Sequence, residues 1–168
     1  MNSLIISTKD IKKFIISVLI PLIIGFSSNF IAEIISKTDS NIQYLELIKP
    51  GFFPPPYIFP IIWTILYTLM GISAYLVSKK DLNSLKVRDA MFCYYLQLGL
   101  NFIWSILFFG LGLRLTSLVV IGIMIVVVMV MIIKFTKVDK RAAYLNLLYL
   151  AWLFYAFFLN YVIWSINR

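Results

Sequence analysis

The distribution of charged residues constrains the fold of this chain more than any other feature of its sequence. Five stretches contain no Asp, Glu, Lys or Arg, and each is at least 19 residues long: 14–32, 51–78, 90–113, 115–133 and 142–167. A helix needs roughly 20 apolar residues to cross the hydrocarbon core of a bilayer, and charges inside that core are costly. We therefore predict an all-α membrane protein in one domain, residues 1–168. Its bundle of five transmembrane helices has spans near residues 12–35, 57–78, 89–111, 115–136 and 141–165.

Composition argues against a soluble helical protein. Hydrophobic residues make up 62% of the chain, whereas soluble domains contain roughly 45–50% apolar residues. A soluble bundle would also need polar outer faces, which these stretches lack. Five spans leave only short loops, so we expect no separate soluble domain. The apolar run after Lys12 and Lys13 lacks a small-x-small cleavage site, so we interpret it as an uncleaved first span.

The net charge of +8 follows the pattern of membrane sidedness rather than nucleic-acid binding, and we expect no nucleic-acid partner. Eleven Lys and Arg residues lie in the N-terminal segment and the second and fourth loops, and four lie in the first loop, the third loop and the C-terminus. Cytoplasmic loops are enriched in Lys and Arg. We therefore expect a multi-pass protein of a bacterial cell membrane with its N-terminus in the cytoplasm and its C-terminus and first loop outside.

Two residue types limit the chemistry. The chain has no His, the commonest metal ligand and the usual general base. Its single cysteine, Cys93, cannot form an internal disulfide. We expect no metal site and no required cofactor.

Three of the stretches carry aromatic and amide residues at helical spacing. The sets are Trp63, Tyr67 and Met70; Tyr94, Gln97, Asn101, Trp104 and Phe108; and Asn146, Tyr149, Trp152, Ala156 and Asn160. Residues three and four apart share one helix face. An unpaired amide in hydrocarbon is costly, so Asn101 and Asn160 should face the bundle interior. Two interpretations stay open: amides that join helices, or a cavity for a flat, largely apolar ligand with a few polar groups.

The first and fourth stretches differ from these three. The first contains Pro21, which we expect to kink the helix, and the small residues Gly25 and Ser28, which allow close helix contact. The fourth has no polar face. We expect it to contact lipid or a partner subunit, and we expect a homodimer.

The first loop has the features of a lid. It contains Tyr44, Lys49, Phe52 and Phe53 before three consecutive prolines at 54–56. Consecutive prolines favour a stiff polyproline II segment. An aromatic belt at the membrane interface is the alternative, but it does not account for Lys49 beside the stiffened aromatic segment.

Four motifs together resemble the TspO/MBR family, the tryptophan-rich sensory proteins related to the mitochondrial translocator protein. They are YxxLxKPxFxPP at 44–55, WTxLYxxMG at 63–71, NFxWSxxFF at 101–109 and YxxWxxxAxxLN at 149–160. The chain departs from the family pattern at Gln43 and at Phe52 or Phe53, where tryptophan is expected, and at Leu148, where proline is usual.

The resemblance implies binding of a tetrapyrrole such as protoporphyrin IX in the outer half of the bundle. Sterols and drug-like isoquinoline carboxamides are further ligands that it implies. Because the chain lacks His, we expect a metal-free ring, or a haem that is not ligated by imidazole, with propionates that meet Lys49 or backbone N–H groups of the loop. The predicted ligand-binding residues are Tyr44, Lys49, Phe53, Pro55, Trp63, Tyr67, Asn101, Trp104, Phe108, Tyr149, Trp152, Ala156 and Asn160.

Three functions remain open at this point. The first, which we favour, is a ligand-binding sensor or receptor in tetrapyrrole metabolism or stress response. The second is an enzyme that degrades porphyrin in light, with Trp63 and Trp152 as the residues that carry the reaction. The third is a porphyrin or sterol transporter, although no ionisable Asp, Glu, Lys or Arg lies within a predicted charge-free stretch to couple ion flow.

Overall fold

The chain folds into a bundle of long helices. A computed structural model describes residues 8–81 and 83–167. Within that range, five helices are long and apolar enough to cross a membrane, and no strand occurs. The elements are α1 (Thr8–Ser36), α2 (Ser40–Glu46), α3 (Ile58–Ser78), α4 (Leu85–Ser105), a π-helical segment (Ile106–Gly110), α5 (Arg114–Thr136) and α6 (Lys140–Ile166). The predicted all-α fold with five membrane-spanning helices is confirmed, and α4 continues through the π-helical segment as one span.

The five long helices close into a ring. Helix α1 packs against α3 and α4, α5 packs against α4 and α6, and α6 returns to α3. Helix α5, the stretch without a polar face, buries Ile121, Met124 and Val128 against its neighbours and leaves Ile123 and Val126 exposed. Its outer surface is therefore apolar, as a lipid-facing or subunit-facing helix requires.

Helices α1 and α3 approach closely at two glycines. A Cβ atom on Gly71 would lie 2.5 Å from the Cα of Val18 and 2.6 Å from the carbonyl oxygen of Ser17. A Cβ on Gly25 would lie 2.1 Å from the ring of Tyr67. Small residues allow this approach in membrane helices, and Gly25 and Ser28 are both buried, in agreement with the close contact predicted for that pair.

One end of the bundle carries most of the charge. There, Lys13 donates a hydrogen bond to the carbonyl oxygen of Ser78, which ties the start of α1 to the end of α3. Asp139 caps α6 by accepting a hydrogen bond from the backbone N–H of Arg141 at 3.0 Å. The side chain of Arg141 donates to the same carboxylate and holds the pKa of Asp139 below its ordinary value.

The opposite end is formed by the first loop. Helix α1 ends at Ser36, and the next residue, Lys37, has a positive φ of 58°. The Asp39 side chain caps α2 by accepting from the backbone N–H of Asn41 at 2.8 Å. Gln43 donates to the hydroxyl of Ser36 at 2.8 Å. Gln43, which stands where the family pattern has tryptophan, therefore joins α2 to the end of α1.

Candidate functional site

A cavity of about 180 Å³ lies in the half of the bundle next to the first loop. It is enclosed by α1, α3, α6 and the C-terminal part of α4 with the π-helical segment, and α2 closes it from the loop side. Its lining consists of Gly25, Phe26, Ser28, Asn29, Ser40, Asn41, Tyr44, Pro56, Phe59, Pro60, Trp63, Thr64, Tyr67, Asn101, Trp104, Ser105, Phe108, Phe109, Ala156, Leu159, Asn160 and Ile163. Eight of the thirteen predicted site residues are among them.

Aromatic rings in mutual contact form the apolar wall of the cavity. The ring of Trp63 stacks on Tyr67 with centroids 5.3 Å apart and lies 6.3 Å from the ring of Trp104. Trp104 stacks on Phe108 with centroids 5.4 Å apart and an interplanar angle of 19°. Offset and edge contacts of this kind stabilise aromatic pairs. They hold the rings as a continuous surface against which a flat apolar molecule can lie.

Asn101 stands at the deep end of the cavity and joins three helices. Its side-chain oxygen accepts a hydrogen bond from the Tyr67 hydroxyl at 2.7 Å, and its nitrogen donates to the Tyr149 hydroxyl at 3.3 Å. Tyr149 in turn donates to Gln97 at 2.9 Å. Asn101 is 2% exposed, so it faces the bundle interior as predicted. It both links helices and lines the cavity, which combines the two interpretations that the sequence left open.

Asn160 forms a second junction between helices, on the first-loop side of Asn101. Its side-chain oxygen accepts hydrogen bonds from the indole N–H of Trp104 and the hydroxyl of Ser117, each at 3.1 Å. Its nitrogen donates to the carbonyl oxygen of Arg114 at 3.1 Å. Asn160 is also 2% exposed. This single amide therefore fixes the orientation of the Trp104 ring that walls the cavity.

Tyr44 closes the cavity from the first loop. Its hydroxyl donates a hydrogen bond to the carbonyl oxygen of Pro54 at 2.8 Å, and its ring packs edge-on to Phe59 with centroids 4.9 Å apart. Burial, with a smaller contribution from nearby Tyr155, raises the pKa of Tyr44 to about 12. The hydrogen bond from the phenol joins α2 to the proline segment.

A polar corner of the cavity was missed by the sequence analysis. Asn29 donates to the carboxylate of Glu33 at 2.9 Å and accepts from the hydroxyl of Ser40 at 2.9 Å. The same carboxylate accepts from the backbone N–H of Ser40 at 3.1 Å. Asn29, Ser40 and Asn41 all line the cavity. In the sequence, the available indication of this corner is that Glu33 directly follows an uncharged stretch. The contact itself could not be predicted, because it forms only when the fold brings α2 back to Glu33.

The π-helical segment adds a ring that helical periodicity did not predict. The backbone N–H of Leu111 donates to the carbonyl oxygen of Ile106 at 2.9 Å, the i to i+5 pattern of a π turn. The adjacent residues Phe108 and Phe109 of this segment both line the cavity. Their rings meet edge to face with centroids 4.8 Å apart.

Lys49 lies outside the cavity lining. Its ammonium group donates to the backbone carbonyl oxygens of Tyr44, Leu45 and Leu47 at 2.6, 3.1 and 3.2 Å. It also lies 4.7 Å from the centroid of the Tyr44 ring. Lys49 is thus occupied in closing the C-terminal end of α2, where cations are favoured. The expected meeting of Lys49 with an acidic group of a ligand would have to break these bonds.

The remaining predicted residues form a layer behind the lining. Trp152 contacts Phe59 with ring centroids 6.2 Å apart, and Tyr149 lies 6.3 Å from Trp63. Phe53 packs in the cluster of Tyr44, and the carbonyl oxygen of Pro55 accepts a hydrogen bond that starts α3. The α6 lining begins at Ala156, one helical turn above Trp152. Helical spacing predicts on which face of a helix a residue lies. It does not predict how deep in the bundle the cavity ends.

Asn167, which directly follows α6, holds the loop that covers the cavity. The side chain of Asn167 accepts from the backbone N–H of Ile48 at 3.0 Å and donates to its carbonyl oxygen at 2.8 Å. The Arg114 guanidinium donates to the backbone carbonyl oxygen of Asn167 at 3.3 Å. The first loop is thus fastened to the third loop through the end of α6.

Comparison with known proteins agrees with the motifs. The TspO/MBR family profile matches residues 17–165. The chain is 37% identical to the tryptophan-rich protein TspO of Archaeoglobus fulgidus, over 94% of this chain and 99% of that protein. It is 33% identical to the tryptophan-rich sensory protein of Cereibacter sphaeroides, over 74% and 76% of the two chains. It is 36% identical to the translocator protein of Bos taurus, over 74% and 75%.

Proposed function

This chain belongs to the TspO/MBR family of integral, multi-pass membrane proteins, and on that premise we propose that it is a sensor that binds a tetrapyrrole such as protoporphyrin IX. The observation that carries the proposal is the continuous aromatic wall formed by Trp63, Trp104 and Phe108, with amides at its edges. A flat apolar ring with a few polar substituents matches this distribution. A sterol, which is also flat and mostly apolar, is the alternative ligand.

The arrangement of polar groups suggests how the ligand is oriented. Lys49 is hydrogen-bonded to the backbone, whereas Asn29, Ser40 and Asn41 are at the cavity surface. Asn29 and Ser40 already donate to the Glu33 carboxylate. The anionic propionates of a porphyrin would therefore point away from this polar corner, and the ring would lie on Trp63 and Trp104. With no His in the chain, the proposal takes a metal-free ring, and no cofactor is required for binding.

Titration of the purified protein with protoporphyrin IX in the dark tests this proposal. We expect Trp63→Ala and Trp104→Ala each to weaken binding by about 1–3 kcal/mol, because each removes a large aromatic contact with the ring. The measurement is the dissociation constant, read from porphyrin absorbance so that loss of a tryptophan does not alter the signal. Trp164→Ala is the matched control, because Trp164 does not line the cavity. Equal weakening by the control would contradict the cavity assignment.

Light-dependent breakdown of porphyrin is the second candidate function. The observation that favours it is that two indole rings, Trp63 and Trp104, both line the cavity and contact each other. Indole is the best electron donor among the neutral side chains present. Trp152, which the sequence assigned beside Trp63, lies behind Phe59 instead.

The same titration under illumination separates the two functions. We expect bound protoporphyrin to bleach no faster than porphyrin held by an unrelated membrane protein in the same detergent. A new chromophore that disappears in Trp63→Phe, with binding retained, would instead establish the enzyme. Trp152→Phe serves as the comparison for an indole outside the lining.

We further propose that the N-terminus lies in the cytoplasm, on the basis of the 11 to 4 distribution of Lys and Arg. Cysteines introduced at Gly51 and Asn83 in a Cys93→Ala background test it, because both positions are exposed and lie at opposite ends of the bundle. We expect an impermeant thiol reagent to label Gly51→Cys and not Asn83→Cys in intact cells. The opposite pattern would reverse the orientation.

The proposal includes a homodimer. The outer face of α5 is the candidate contact surface, since Val119, Ile123, Val126 and Val130 are exposed along one side of it. These side chains have no polar groups, so they would pack equally well against a second copy or against acyl chains.

A further inference from the structure

A second, separate groove lies at the opposite end of the bundle from the cavity. It has a volume of about 540 Å³ and runs between α1 on one side and α3 and α4 on the other. Its α1 side consists of Lys9, Lys12, Lys13, Ile16 and Ile20, with Ser17 between them. The alternating spacings of three and one residues place them along a single helix face. The groove takes no part in the cavity or in the proposed binding of tetrapyrrole.

The charge at the mouth of the groove is positive. Lys9 and Lys12 are exposed, and Lys13 donates to the carbonyl oxygen of Ser78 at the end of α3. Asp10 is on another face of α1 and is not part of the groove. Asp89, at the start of α4, pairs with Lys134 at 3.5 Å on the α5 side. No carboxylate therefore lines the groove within the described residues.

Beyond the charged mouth, most of the groove is apolar, although Ser17, Ser78 and two tyrosines also line it. Ile16, Ile20 and Met91 form its walls, with Ala74 at its base. From Lys9 to Ile20, α1 rises about 16 Å, roughly half of the 30 Å hydrocarbon core of a bilayer. The groove thus runs from a cationic headgroup level to the middle of the membrane, which is the depth of one leaflet.

A buried donor without a partner lies in the wall of the same groove. Tyr94 is 2% exposed, and its hydroxyl has no hydrogen-bond partner among residues 8–81 and 83–167. Leaving such a donor unpaired costs roughly 1–3 kcal/mol. The Tyr94 hydroxyl oxygen lies beneath the groove surface, so an acceptor oxygen reaches it only where the groove widens to admit the ligand.

We propose that this groove binds an anionic phospholipid from the surrounding leaflet. The phosphate lies at Lys9 and Lys12, one acyl chain lies along Ile16, Ile20 and Met91, and an ester oxygen accepts from Tyr94. A soluble phosphate compound would use the lysines but leave the apolar walls uncovered, which is why the occupant is a lipid. Basic pockets between membrane helices are known to suit such headgroups.

Native mass spectrometry of the detergent-purified, full-length protein tests the proposal. The probes are dioleoylphosphatidylglycerol, dioleoylphosphatidylcholine with the same chains, and glycerol 3-phosphate without chains. We expect the first to bind at least tenfold more tightly than either of the others. The double variant Lys9→Gln/Lys12→Gln should lose on the order of fivefold per lysine, the contribution of a cation at an anionic surface. Met91→Trp should reduce binding by filling the apolar part.

The control is Lys137→Gln/Lys140→Gln, which removes the same charge from exposed residues at the same end of the bundle but outside the groove. It should leave the affinity for dioleoylphosphatidylglycerol within twofold of the wild type. Far-UV circular dichroism and thermal unfolding confirm that each variant is folded. Equal loss in both double variants, equal binding of the two lipids, equal binding of glycerol 3-phosphate, or unchanged binding by Met91→Trp would each overturn the proposal.

Discussion

Substituting Gly71 is expected to destabilise the protein by forcing α1 and α3 apart. Its Cβ position lies 2.5 Å from the backbone of Val18, so α1 and α3 must separate to admit even a methyl group. Overpacking of this kind costs about 1–3 kcal/mol, and we expect Gly71→Ala to lower the free energy of unfolding by that amount. Gly71→Leu should cost more and should prevent recovery of folded protein. Thermal or denaturant unfolding in a defined detergent measures both.

Gly99 provides the matched control for this prediction. It lies within α4, and a Cβ atom added there would meet no atom within 4 Å. Alanine is a better helix former than glycine by about 1 kcal/mol, so Gly99→Ala should be neutral or slightly stabilising. If both substitutions lowered the free energy of unfolding equally, the contact between α1 and α3 would not be the cause of the loss at Gly71.

Substitution of Asn160 should affect both stability and ligand binding. Its amide makes hydrogen bonds to Trp104, Ser117 and the backbone of Arg114, and Asn160→Leu removes all three with little change in volume. Interhelical hydrogen bonds in membranes are worth about 0.6 kcal/mol on average and about 1.7 at most, so we expect a loss of about 2–3 kcal/mol. The affinity for protoporphyrin IX should also fall by roughly tenfold, because Trp104 loses the bond that orients it.

Asn146→Leu separates the two effects. Asn146 is a buried amide of the same helix that contacts Ser73 and the carbonyl oxygen of Ala142 and lies outside the cavity. Its own side-chain oxygen has no partner among the described residues, so the loss of stability should be smaller, at most about 1 kcal/mol. Its affinity for protoporphyrin IX should be unchanged. A loss of affinity equal to that of Asn160→Leu would show that binding follows overall stability rather than the position of Trp104.

The fold could be predicted because the free-energy cost of placing a charge in the bilayer core dominates it. Charges are excluded from the bilayer core, so their positions mark the limits of the helices almost directly. Helix α1 still extends past the first uncharged stretch to Ser36 and includes Glu33. The carboxylate of Glu33 is held there by Asn29 and by the backbone of Ser40. Such a contact depends on the returning loop and leaves no pattern in α1 itself.

The aromatic wall could also be anticipated, because side chains that recur every three or four residues must share a helix face. The faces of α3, α4 and α6 therefore pointed to Trp63, Asn101, Trp104 and Asn160. Which of these residues meet across the bundle, and how deep the cavity reaches, depends on helix packing that periodicity does not encode.

The role of Lys49 illustrates a different limit. A lysine beside an aromatic, proline-rich segment suggested a partner for an acidic ligand group. The structure instead uses its three N–H donors on backbone carbonyl oxygens at the end of α2. Because α2 is only seven residues long, it was not distinguishable from a loop in the sequence. The need for a cation at its end could therefore not be inferred.

The π-helical segment has a consequence for how the family can vary in length. An i to i+5 turn contains one residue more than an α-helical turn needs. A relative that lacks one residue between Ile106 and Gly110 could close the same stretch as an ordinary α-helix and keep every backbone hydrogen bond. The bundle would survive the deletion, while the stretch that carries Phe108 and Phe109 would present one side chain fewer to its surroundings. A single-residue gap at this point in an alignment would therefore mark a change in ligand preference between relatives of the same fold.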